Sequence, residues 1–475
     1  MTRDKVGCFA LDRVAAGLYL LKLDAKRTSV DIMPSKFALA TCTLFLLATA
    51  CALCWGAKET SRLRYVNSAD PHADDWGPGS KEHPWKSLAA VNSHTFKPGD
   101  FIYFARGSSY TGGIVISDSG APGEPITLTV YGSGPAPRIT NPSYKVSAGN
   151  MIQVHGSWIV IDGLCFKDGV PAAPNSAVEV VRSIGAVFIA NTATHVIVRN
   201  CEAINCPVAV RSFGEYALIT KNHFHDTADQ FLCSPNWGPV AIMLMVSNQE
   251  VSHNRIEHYY IVGGSWGADG GAFEIDGENP KKYINIHHNK VYDTQGFLET
   301  DEARGPYAEI TIAYNEADVS EKFLGMTNSI NWLVANNTII RVMNRPPGYN
   351  DANWFMTGVR NTVWRNNIFV LANGLQAFHN GLGAEQIHDH NLYFSVDNST
   401  TDPIAGPPGP GDRVGDPLFV DYANRDYHLT ANSPAIGAGV PLGFTSDLDG
   451  TAIPRGKAPE MGAYEYTSTP KHHPR

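Results

Sequence analysis

The sequence carries no concentration of basic charge, and this absence limits the class of partner. Its 37 lysines and arginines are outnumbered by 46 aspartates and glutamates, which gives a formal net charge of −9 over 475 residues. Proteins that bind nucleic acids usually present a clustered positive surface to the phosphate groups. The composition therefore disfavours a nucleic-acid partner.

Cysteine is scarce, and its spacing does not indicate a metal site. Of eight cysteines, four lie in or before an N-terminal apolar segment. Apart from a loose Cys201-x4-Cys206, the others (Cys165, Cys201, Cys206 and Cys233) lack metal-like spacing. The sequence leaves two alternatives for Cys206 and Cys233, a disulfide in an oxidising compartment or two buried thiols.

A long apolar run near the N terminus predicts export. The run from Phe37 to Ala52 follows Lys36 and ends in the small-x-small form of a signal-peptidase site. Residues 1–57 are therefore interpreted as an extension and signal segment, with the mature chain secreted, periplasmic or at the cell surface and not stably inserted in a membrane. The alternatives are a single membrane anchor, because the run nearly reaches spanning length, and lipid attachment at Cys51.

A pattern of the form apolar-x-x-Asn-x-apolar recurs along the chain. Its spacing of roughly 22 to 35 residues is in the range of solenoid proteins. Each unit is typical of short strands with β-branched residues turned inward and a bend between them. Asparagine at the bend tolerates a left-handed backbone, and its amide is predicted to bond the asparagine of the next coil. The six positions are Asn222, Asn254, Asn289, Asn315, Asn337 and Asn366, and Leu164 and Cys201 hold the equivalent places in two earlier units.

The repeat predicts an all-β chain folded as a single-stranded parallel β-helix. The helix and an N-terminal cap are assigned to residues 58–400. Within them, residues 84–91 have apolar residues at helical spacing and are expected to cover the first coils, whose strands would otherwise be unpaired. A Pro/Gly-rich stretch at 403–411 breaks the repeat, and residues 401–475 are predicted to cap the other end.

Several segments resemble those of secreted right-handed parallel β-helix proteins of the pectate-lyase-like superfamily. The resemblance covers nearly all of the mature chain and implies a right-handed solenoid. That superfamily includes polysaccharide lyases, glycoside hydrolases, epimerases and non-catalytic surface proteins, so the resemblance indicates the fold more strongly than the activity. The similar segments are Pro98-Gly-Asp100, the Asn-bearing coils, Asp416–Asp421, Asp426–Leu429, Ser433–Ile436 and Gly462–Glu465.

Two neighbouring units place acidic residues in the same frame. The segment 271–277 aligns with 296–302. If the apolar residues between the acids point inward, strand alternation sends four carboxylates to one outer face. Adjacent strands are about 4.8 Å apart and alternate residues about 6.7 Å apart, so the carboxylates would form a small rectangle. Its corners are Glu274, Asp276, Glu299 and Asp301.

Such a rectangle costs stability, because like charges at these separations raise one another's pKa. One explanation is the acid and base pair of a glycoside hydrolase, in which adjacent carboxylates suit retention and diagonal ones inversion. A second is bound Ca²⁺, which prefers oxygen ligands. A third is a register slip of one residue, which would leave ordinary solvated acids facing Lys281, Lys282, Arg304 and Lys322.

A polysaccharide lyase or epimerase is the alternative enzyme. It needs a base and a cation that neutralises the substrate carboxylate, and Arg304 or Lys322 would serve if Ca²⁺ lay among the acids. In place of the Ser-x-Lys-Ser element of chondroitinase-B-like lyases the chain has Gly277-Glu-Asn-Pro-Lys-Lys282. The Asn-Thr-Asp and Asp-Asp elements of polygalacturonase-like hydrolases are not recognisable either. No residue role is carried over from either group.

Residues suited to sugar binding surround the acids. Aromatic rings stack on pyranose rings, and loops on a rigid solenoid commonly carry binding residues. Trp266 lies in the glycine-rich segment 263–271, which is unsuited to a buried strand. The other predicted substrate contacts are Asp269, Arg304, Tyr307, Lys322 and His379, whereas His253, His258, His287 and His288 lie near the Asn bends and are interpreted as structural.

The sequence thus predicts an exported polysaccharide-degrading enzyme, a glycoside hydrolase that uses two of the four acids. A Ca²⁺-assisted lyase or epimerase and a non-catalytic glycan-binding surface protein are the alternatives. The expected partner is a polysaccharide or oligosaccharide, and Ca²⁺ is the one cofactor that the residues suggest.

Overall fold

Three long parallel sheets form the walls of the molecule. The computed structural model describes residues 63–142, 149–169, 185–227, 238–262, 268–277, 280–300, 305–343, 352–355, 357–379 and 385–468. In each regular coil the chain contributes one strand to each of the three sheets, and each strand pairs in parallel with its equivalents in the neighbouring coils. The structure confirms the predicted fold class, an all-β parallel β-helix.

The strands are short, as the spacing of the repeat requires. Sheet A contains Leu63–Val66, Phe101–Ala105, Ile126–Tyr131, Ile159–Asp162, Ile197–Arg199, Leu218–Thr220, Gln249–Ser252, Ile284–His287, Thr311–Ala313, Leu333–Ala335, Thr362–Arg365 and Gln386–Asp389. Sheet B contains Ser109–Thr111, Arg138–Thr140, Cys165–Lys167, Glu202–Ile204, His223–His225, Arg255–Glu257, Lys290–Thr294, Glu316–Val319, Thr338–Arg341, Ile368–Leu371, Leu392–Ser395 and Arg413–Val414. Sheet C contains Ile114–Ile116, Ile152–Val154, Val187–Ile189, Val210–Ser212, Val240–Leu244, Gly271–Ile275, Gly296–Thr300, Leu324–Met326 and Asn353–Phe355.

Three small sheets lie outside these walls. Ile261–Val262 pairs antiparallel with Ala268–Asp269, and Phe419–Asp421 pairs antiparallel with Asp426–Leu429 across the 3-10 helix Tyr422–Asn424. The third small sheet is parallel and consists of Lys281–Lys282, Tyr307–Ala308 and Ser329–Ile330. In the part of the chain that the structure describes, the one α-helix is Leu88–Ser93, and no helix is long and apolar enough to cross a membrane.

Inward-facing residues stack in columns that fill the β-helix. One column in sheet A joins eight coils through strand registers, and every member is fully buried. Close stacking of identical or similar apolar side chains removes them from water in every coil. The members are Ile161, Val198, Ile219, Val251, Ile286, Ile312, Val334 and Trp364.

An asparagine ladder runs through the bend between sheets A and B. Each side-chain amide donates to the side-chain oxygen of the next asparagine, at 2.9 to 3.0 Å. At one end, the backbone N–H of Cys201 donates to Asn222 Oδ1 at 3.0 Å, as expected for a residue in the equivalent place. The ladder consists of Asn222, Asn254, Asn289, Asn315, Asn337, Asn367 and Asn391.

Two details of the predicted ladder are wrong. Asn367, and not Asn366, occupies the sixth place, because Trp364 rather than Val363 faces inward in that strand. The left-handed residue at the bend is the one before the ladder asparagine, for example His253 at φ 56° and His288 at φ 55°. These two histidines thus lie at the bends, as expected.

The N-terminal helix Leu88–Ser93 caps the first coils as predicted. Ser87 Oγ accepts the N–H of Ala89, and Leu88 and Val91 are buried in the core of the solenoid. The Asn92 side chain donates to Gly113 O at 2.8 Å and accepts the N–H of Val115 at 2.9 Å. It therefore supplies partners for backbone groups at the open edge of sheet C.

The C-terminal segment contacts the last coil with its first residues and packs on the outer face of sheet B with the later ones. Arg413–Val414 adds the last strand to sheet B at that end. Beyond it, four apolar side chains are buried against outward-facing residues of sheet B such as Ile368: Tyr427, Leu429, Met461 and Tyr464. Ion pairs Arg425–Asp318 at 2.9 Å and Lys290–Asp449 at 3.6 Å fasten the same contact. The start of the segment lies at the end of the β-helix, where Ile404 joins the core of the solenoid and Asp412 Oδ1 accepts the N–H of Asn391 at 2.8 Å.

The cysteines of the described residues are free thiols. Cys165, Cys201 and Cys206 are buried, and burial raises the pKa of each to about 12. Cys233 lies outside the described residues. For Cys206 the structure thus has the buried thiol and not the disulfide.

Glu460, in the C-terminal segment, gives a testable pH dependence. It is 4 % exposed, and burial together with the neighbouring Glu465 carboxyl raises its pKa from 4.5 to about 9. Between these pH values the folded chain holds a proton that the unfolded chain releases, so stability falls as pH rises. Glu460→Gln stays neutral and is expected to be more stable than the parent protein at the alkaline end of this window, with the difference vanishing toward its acidic end. Denaturant unfolding across the window measures this, with exposed Glu82→Gln as the control; parallel profiles for parent and Glu460→Gln would contradict it.

Candidate active site on the outer face of sheet C

The predicted register of the acidic strands is confirmed. Gly271–Ile275 and Gly296–Thr300 are adjacent parallel strands in which Glu274 lies opposite Glu299. Both glutamates are partly exposed and face outward. The slipped register that would have made them unrelated surface acids is therefore wrong. The flanking residues Phe273, Ile275, Leu298 and Thr300 face the core and are at most 2 % exposed.

Three of the four predicted acids, Glu274, Asp276 and Glu299, lie within the described residues. Asp276 follows the strand of Glu274, is partly exposed, and accepts the backbone N–H of Gly277. Its own N–H donates to Leu244 O at 3.2 Å, which continues the parallel pairing one residue past the strand. Asp301 lies outside the described residues. Glu274, Asp276 and Glu299 thus lie on one face, and their chemical roles remain predictions.

Lys322, from the next coil, reaches the acidic face. Its Nζ lies 3.2 Å from Glu299 Oε2 and 2.9 Å from Glu321 Oε1. Gly325 is the residue opposite Glu299 in the next strand. A Cβ there would come within 2.9 Å of Lys322 Cε and 3.1 Å of Cδ. Glycine at 325 therefore leaves the space through which the lysine side chain crosses to Glu299.

Lys322 is held as a cation in this position. Burial by itself would lower its pKa, but Glu299 and Glu321 outweigh that effect and raise the pKa well above its usual range. The side chain is only 13 % exposed, and that of Glu321 9 % exposed. An amine with so strong a preference for its proton is unsuited to act as a base near neutral pH. It supplies a fixed positive charge beside Glu299.

Replacing Lys322 with methionine is expected to destabilise the protein by about 2 kcal/mol, because Glu321 and Glu299 lose their shared counter-charge. The value is below that of a fully buried pair because Glu299 is 42 % exposed. Lys322→Arg keeps the charge and is expected to retain most of the stability. Urea unfolding compares both with Lys282→Met, which removes an exposed lysine. Equal effects at positions 322 and 282 would show that the charge cluster does not contribute.

The other predicted substrate contacts divide into three groups. The prediction that Tyr307 contacts the substrate is wrong, because its ring is fully buried. The ring lies 5.6 Å from Lys281 Nζ, and the Tyr307 carbonyl accepts Trp332 Nε1–H at 2.9 Å. His379 is partly exposed and follows Phe378, which bridges to Asn353 in sheet C. Trp266 and Arg304 lie outside the described residues.

His379 continues the outer column of Glu274 and Glu299. Strand registers run from Glu299 to Gly325 to Trp354, and the bridge of the preceding residue places His379 next in the same column. Three strand spacings separate it from Glu299, or about 14 Å. This distance excludes a shared reacting bond but suits a contact with a neighbouring sugar of a bound chain.

Asp269 belongs to the hairpin that leads into the strand of Glu274. Its backbone pairs with that of Ile261. Residues 263–267, which include Trp266, lie outside the described residues. The sugar contacts of Trp266 and Asp269 therefore remain predictions.

Carboxylates suit Ca²⁺, but the described acids do not form a ready site for it. Within the described ranges, Glu274, Asp276 and Glu299 do not bring three ligand oxygens within 4.8 Å of one another. Glu299 is moreover engaged by the Lys322 ammonium, which an incoming cation would have to displace. Bound Ca²⁺ therefore remains a prediction.

Solved structures with the same architecture are found at low sequence identity. No family model matches the sequence, and no curated protein matches it. The structure of pectate lyase Pel9A is similar with a TM-score of 0.57 and 17% identity, covering 86% of this chain and 97% of that one. A GH136 lacto-N-biosidase from Eubacterium ramulus is similar with a TM-score of 0.53 and 14% identity, covering 74% of this chain and 67% of that one. These likenesses establish that the chain has the parallel β-helix fold of pectate-lyase-like structures.

Proposed function

We propose that the protein is a carbohydrate-active enzyme that hydrolyses glycosidic bonds of a polysaccharide on the outer face of sheet C. The observation that carries the proposal is the register of Glu274 with Glu299 on adjacent outward-facing strands. A pair of carboxylates on either side of a glycosidic bond is the common requirement of glycoside hydrolases. A fold gains no stability from aligning two acids, so their alignment calls for a chemical reason.

The two glutamates are assigned different roles. Lys322 pairs with Glu299, which suits an ionised carboxylate that attacks the anomeric carbon. Glu274 lies farther from that ammonium in the strand order and is assigned as the acid. As the bond between the anomeric carbon and the leaving oxygen breaks, Glu274 donates its proton to that oxygen. Water, deprotonated by Glu274, then releases the sugar from Glu299.

The spacing of the strands favours retention of stereochemistry. Adjacent strands lie about 4.8 Å apart, close to the about 5 Å between carboxyl groups in retaining enzymes. A diagonal pair, Glu274 with Asp301 or Asp276 with Glu299, would be about 8 Å apart and would suit inversion. We therefore propose the adjacent pair and keep the diagonal pairs as the alternative that product stereochemistry decides.

Two further observations support a carbohydrate substrate outside the cytoplasm. Two solved structures of similar fold are a pectate lyase and a lacto-N-biosidase. The apolar segment from Phe37 to Ala52 has the form of a signal peptide. An exported enzyme would meet extracellular polysaccharides directly, with His379 and the hairpin before Glu274 as contacts for sugars on either side of the cleaved bond.

A screen of the purified mature chain against a panel of polysaccharides tests this proposal. New reducing ends without absorbance from unsaturated products are the expected result, and the rate should be the same with and without a chelator. Unsaturated products lost on chelation would overturn the hydrolase in favour of a Ca²⁺-assisted lyase or epimerase. Binding without any product would instead identify a non-catalytic glycan-binding protein.

A further inference from the structure

A cluster of histidines and carboxylates lies on the outer face of sheet B, and the proposed function does not use it. The ligand atoms of Glu202, His223 and His225 all lie within 4.8 Å of one another. Within the described residues this is the one group of three such side chains. We refer to these three residues as the sheet B cluster.

Strand geometry brings the sheet B cluster together. In the strand His223–His225 the middle residue, Phe224, is buried in the core, so both histidines point outward. Their rings stack with centroids 4.1 Å apart. Glu202 lies opposite His223 in the neighbouring strand. The three side chains are partly exposed, so an ion and its water can reach them.

His225 has a carboxylate at each ring nitrogen. Nδ1 lies 2.8 Å from Asp226 Oδ2, and Nε2 lies 3.3 Å from Glu202 Oε1. A neutral imidazole has one N–H and can donate to only one of them. If Nδ1 carries the proton and donates it in the shorter bond to Asp226, the lone pair of Nε2 faces the Glu202 oxygen. Two facing acceptors require either a second proton or a cation between them.

His223 is oriented by a carboxylate in the same way. Its Nε2 lies 2.7 Å from Glu257 Oε2. Glu257 is fixed in turn by Arg255, whose Nε and Nη2 each donate to it at 2.7 Å. If His223 donates from Nε2, its Nδ1 keeps the lone pair that a metal needs. Metal-binding histidines typically donate their second N–H to a carboxylate, which sets the tautomer and the ring orientation.

We propose that the sheet B cluster binds a divalent transition-metal ion of the Zn²⁺ class. Two imidazoles and one carboxylate are ligands that Zn²⁺ prefers, whereas Ca²⁺ takes oxygen ligands almost exclusively. Three protein ligands leave a fourth position for water. The ion joins two coils through Glu202 and the histidines, and Glu257 ties in a third. It therefore fastens the coils of sheet B beside the part that the C-terminal segment covers.

Titration of the metal-free full chain with ZnCl₂ tests the proposal by calorimetry and thermal unfolding. The parent protein is expected to bind one Zn²⁺ at a saturable site and to unfold at a higher temperature with it. His223→Ala/His225→Ala is expected to lose this binding and this shift. Asp226→Asn keeps all three proposed ligands but replaces the carboxylate that orients His225 and also pairs with His258. It is expected to weaken Zn²⁺ binding by about 10- to 100-fold.

The matched control is His287→Ala, which removes a histidine 3.4 Å from Glu250 on sheet A. Among the described residues, His287 does not belong to a group of three possible metal ligands. Its Zn²⁺ affinity is expected to equal that of the parent. His472 and His473 remain in every variant, so Zn²⁺ bound there would persist in the double variant. No saturable binding, binding retained in the double variant, or an equal loss in His287→Ala would each overturn the proposal. If the double variant fails to fold, the Zn²⁺ affinities of Glu202→Gln and Asp226→Asn test the proposal instead. Unchanged Zn²⁺ affinity in both variants would contradict it.

Discussion

Replacement of Glu299 by glutamine is expected to reduce turnover of the polysaccharide by roughly 10³-fold, because the nucleophile of the proposed reaction is lost. Glu274→Gln, which cannot donate the proton, is expected to reduce it by a similar factor. Both changes preserve side-chain shape, so substrate affinity should change much less than turnover. Initial rates with a defined oligosaccharide, together with unfolding curves for each variant, measure these effects.

The control for this prediction is Glu250→Gln. Glu250 is an exposed glutamate on the outer face of sheet A, where it pairs with His287. It is chemically similar to the two glutamates, but it belongs to a different sheet from the acidic strands. Its turnover should equal that of the parent protein. If Glu274→Gln and Glu299→Gln both keep full activity while folded, the outer face of sheet C is not the active site.

Loss of one ladder asparagine is expected to destabilise the fold more than any surface change. Asn315 is fully buried. Its Oδ1 accepts both the backbone and the side-chain N–H of Asn289 at 3.0 Å, and its Nδ2 donates to Ile286 O and Asn337 Oδ1 at 3.0 Å. Asn315→Ala leaves several of these buried groups without a partner, each of which costs about 1 to 3 kcal/mol, so a loss of about 4 kcal/mol is expected.

Denaturant unfolding measures this loss, and the same region provides a control. Asn285 is exposed on sheet A in the coil of Asn289, and Asn285→Ala is expected to change stability by less than about 0.5 kcal/mol. Comparable losses for the two alanine variants would mean that the ladder contributes no more than an ordinary surface amide. A larger loss of stability in Asn315→Ala than in Asn285→Ala would show that the ladder hydrogen bonds stabilise the coils.

Much of the fold was predictable because it repeats. A coil that recurs every few tens of residues must bury the same positions each time, so the ladder and the outward register of Glu274 and Glu299 follow from strand alternation. The error at Asn366 arose where this regularity weakens. Val363 and Trp364 are both apolar, and two asparagines follow them, so the pattern fits two registers equally.

The parts that were not predicted depend on contacts between distant segments. Alternation assigns a face to Glu299 but does not say that Lys322, from the next turn, crosses Gly325 to reach it. Likewise, the apolar residues of the C-terminal segment indicate burial but not which wall they cover. Tyr307 was misplaced for the same reason, since an aromatic residue in a loop-like segment suits a core as well as a sugar site.

A crystal structure of Glu274→Gln with a bound oligosaccharide substrate tests the central claim most directly. The account predicts a sugar on the outer face of sheet C, with its glycosidic oxygen about 3 Å from the residue 274 side chain and its anomeric carbon next to Glu299. A substrate seated instead on the outer face of sheet A or sheet B, with both glutamates exposed to solvent, would contradict it.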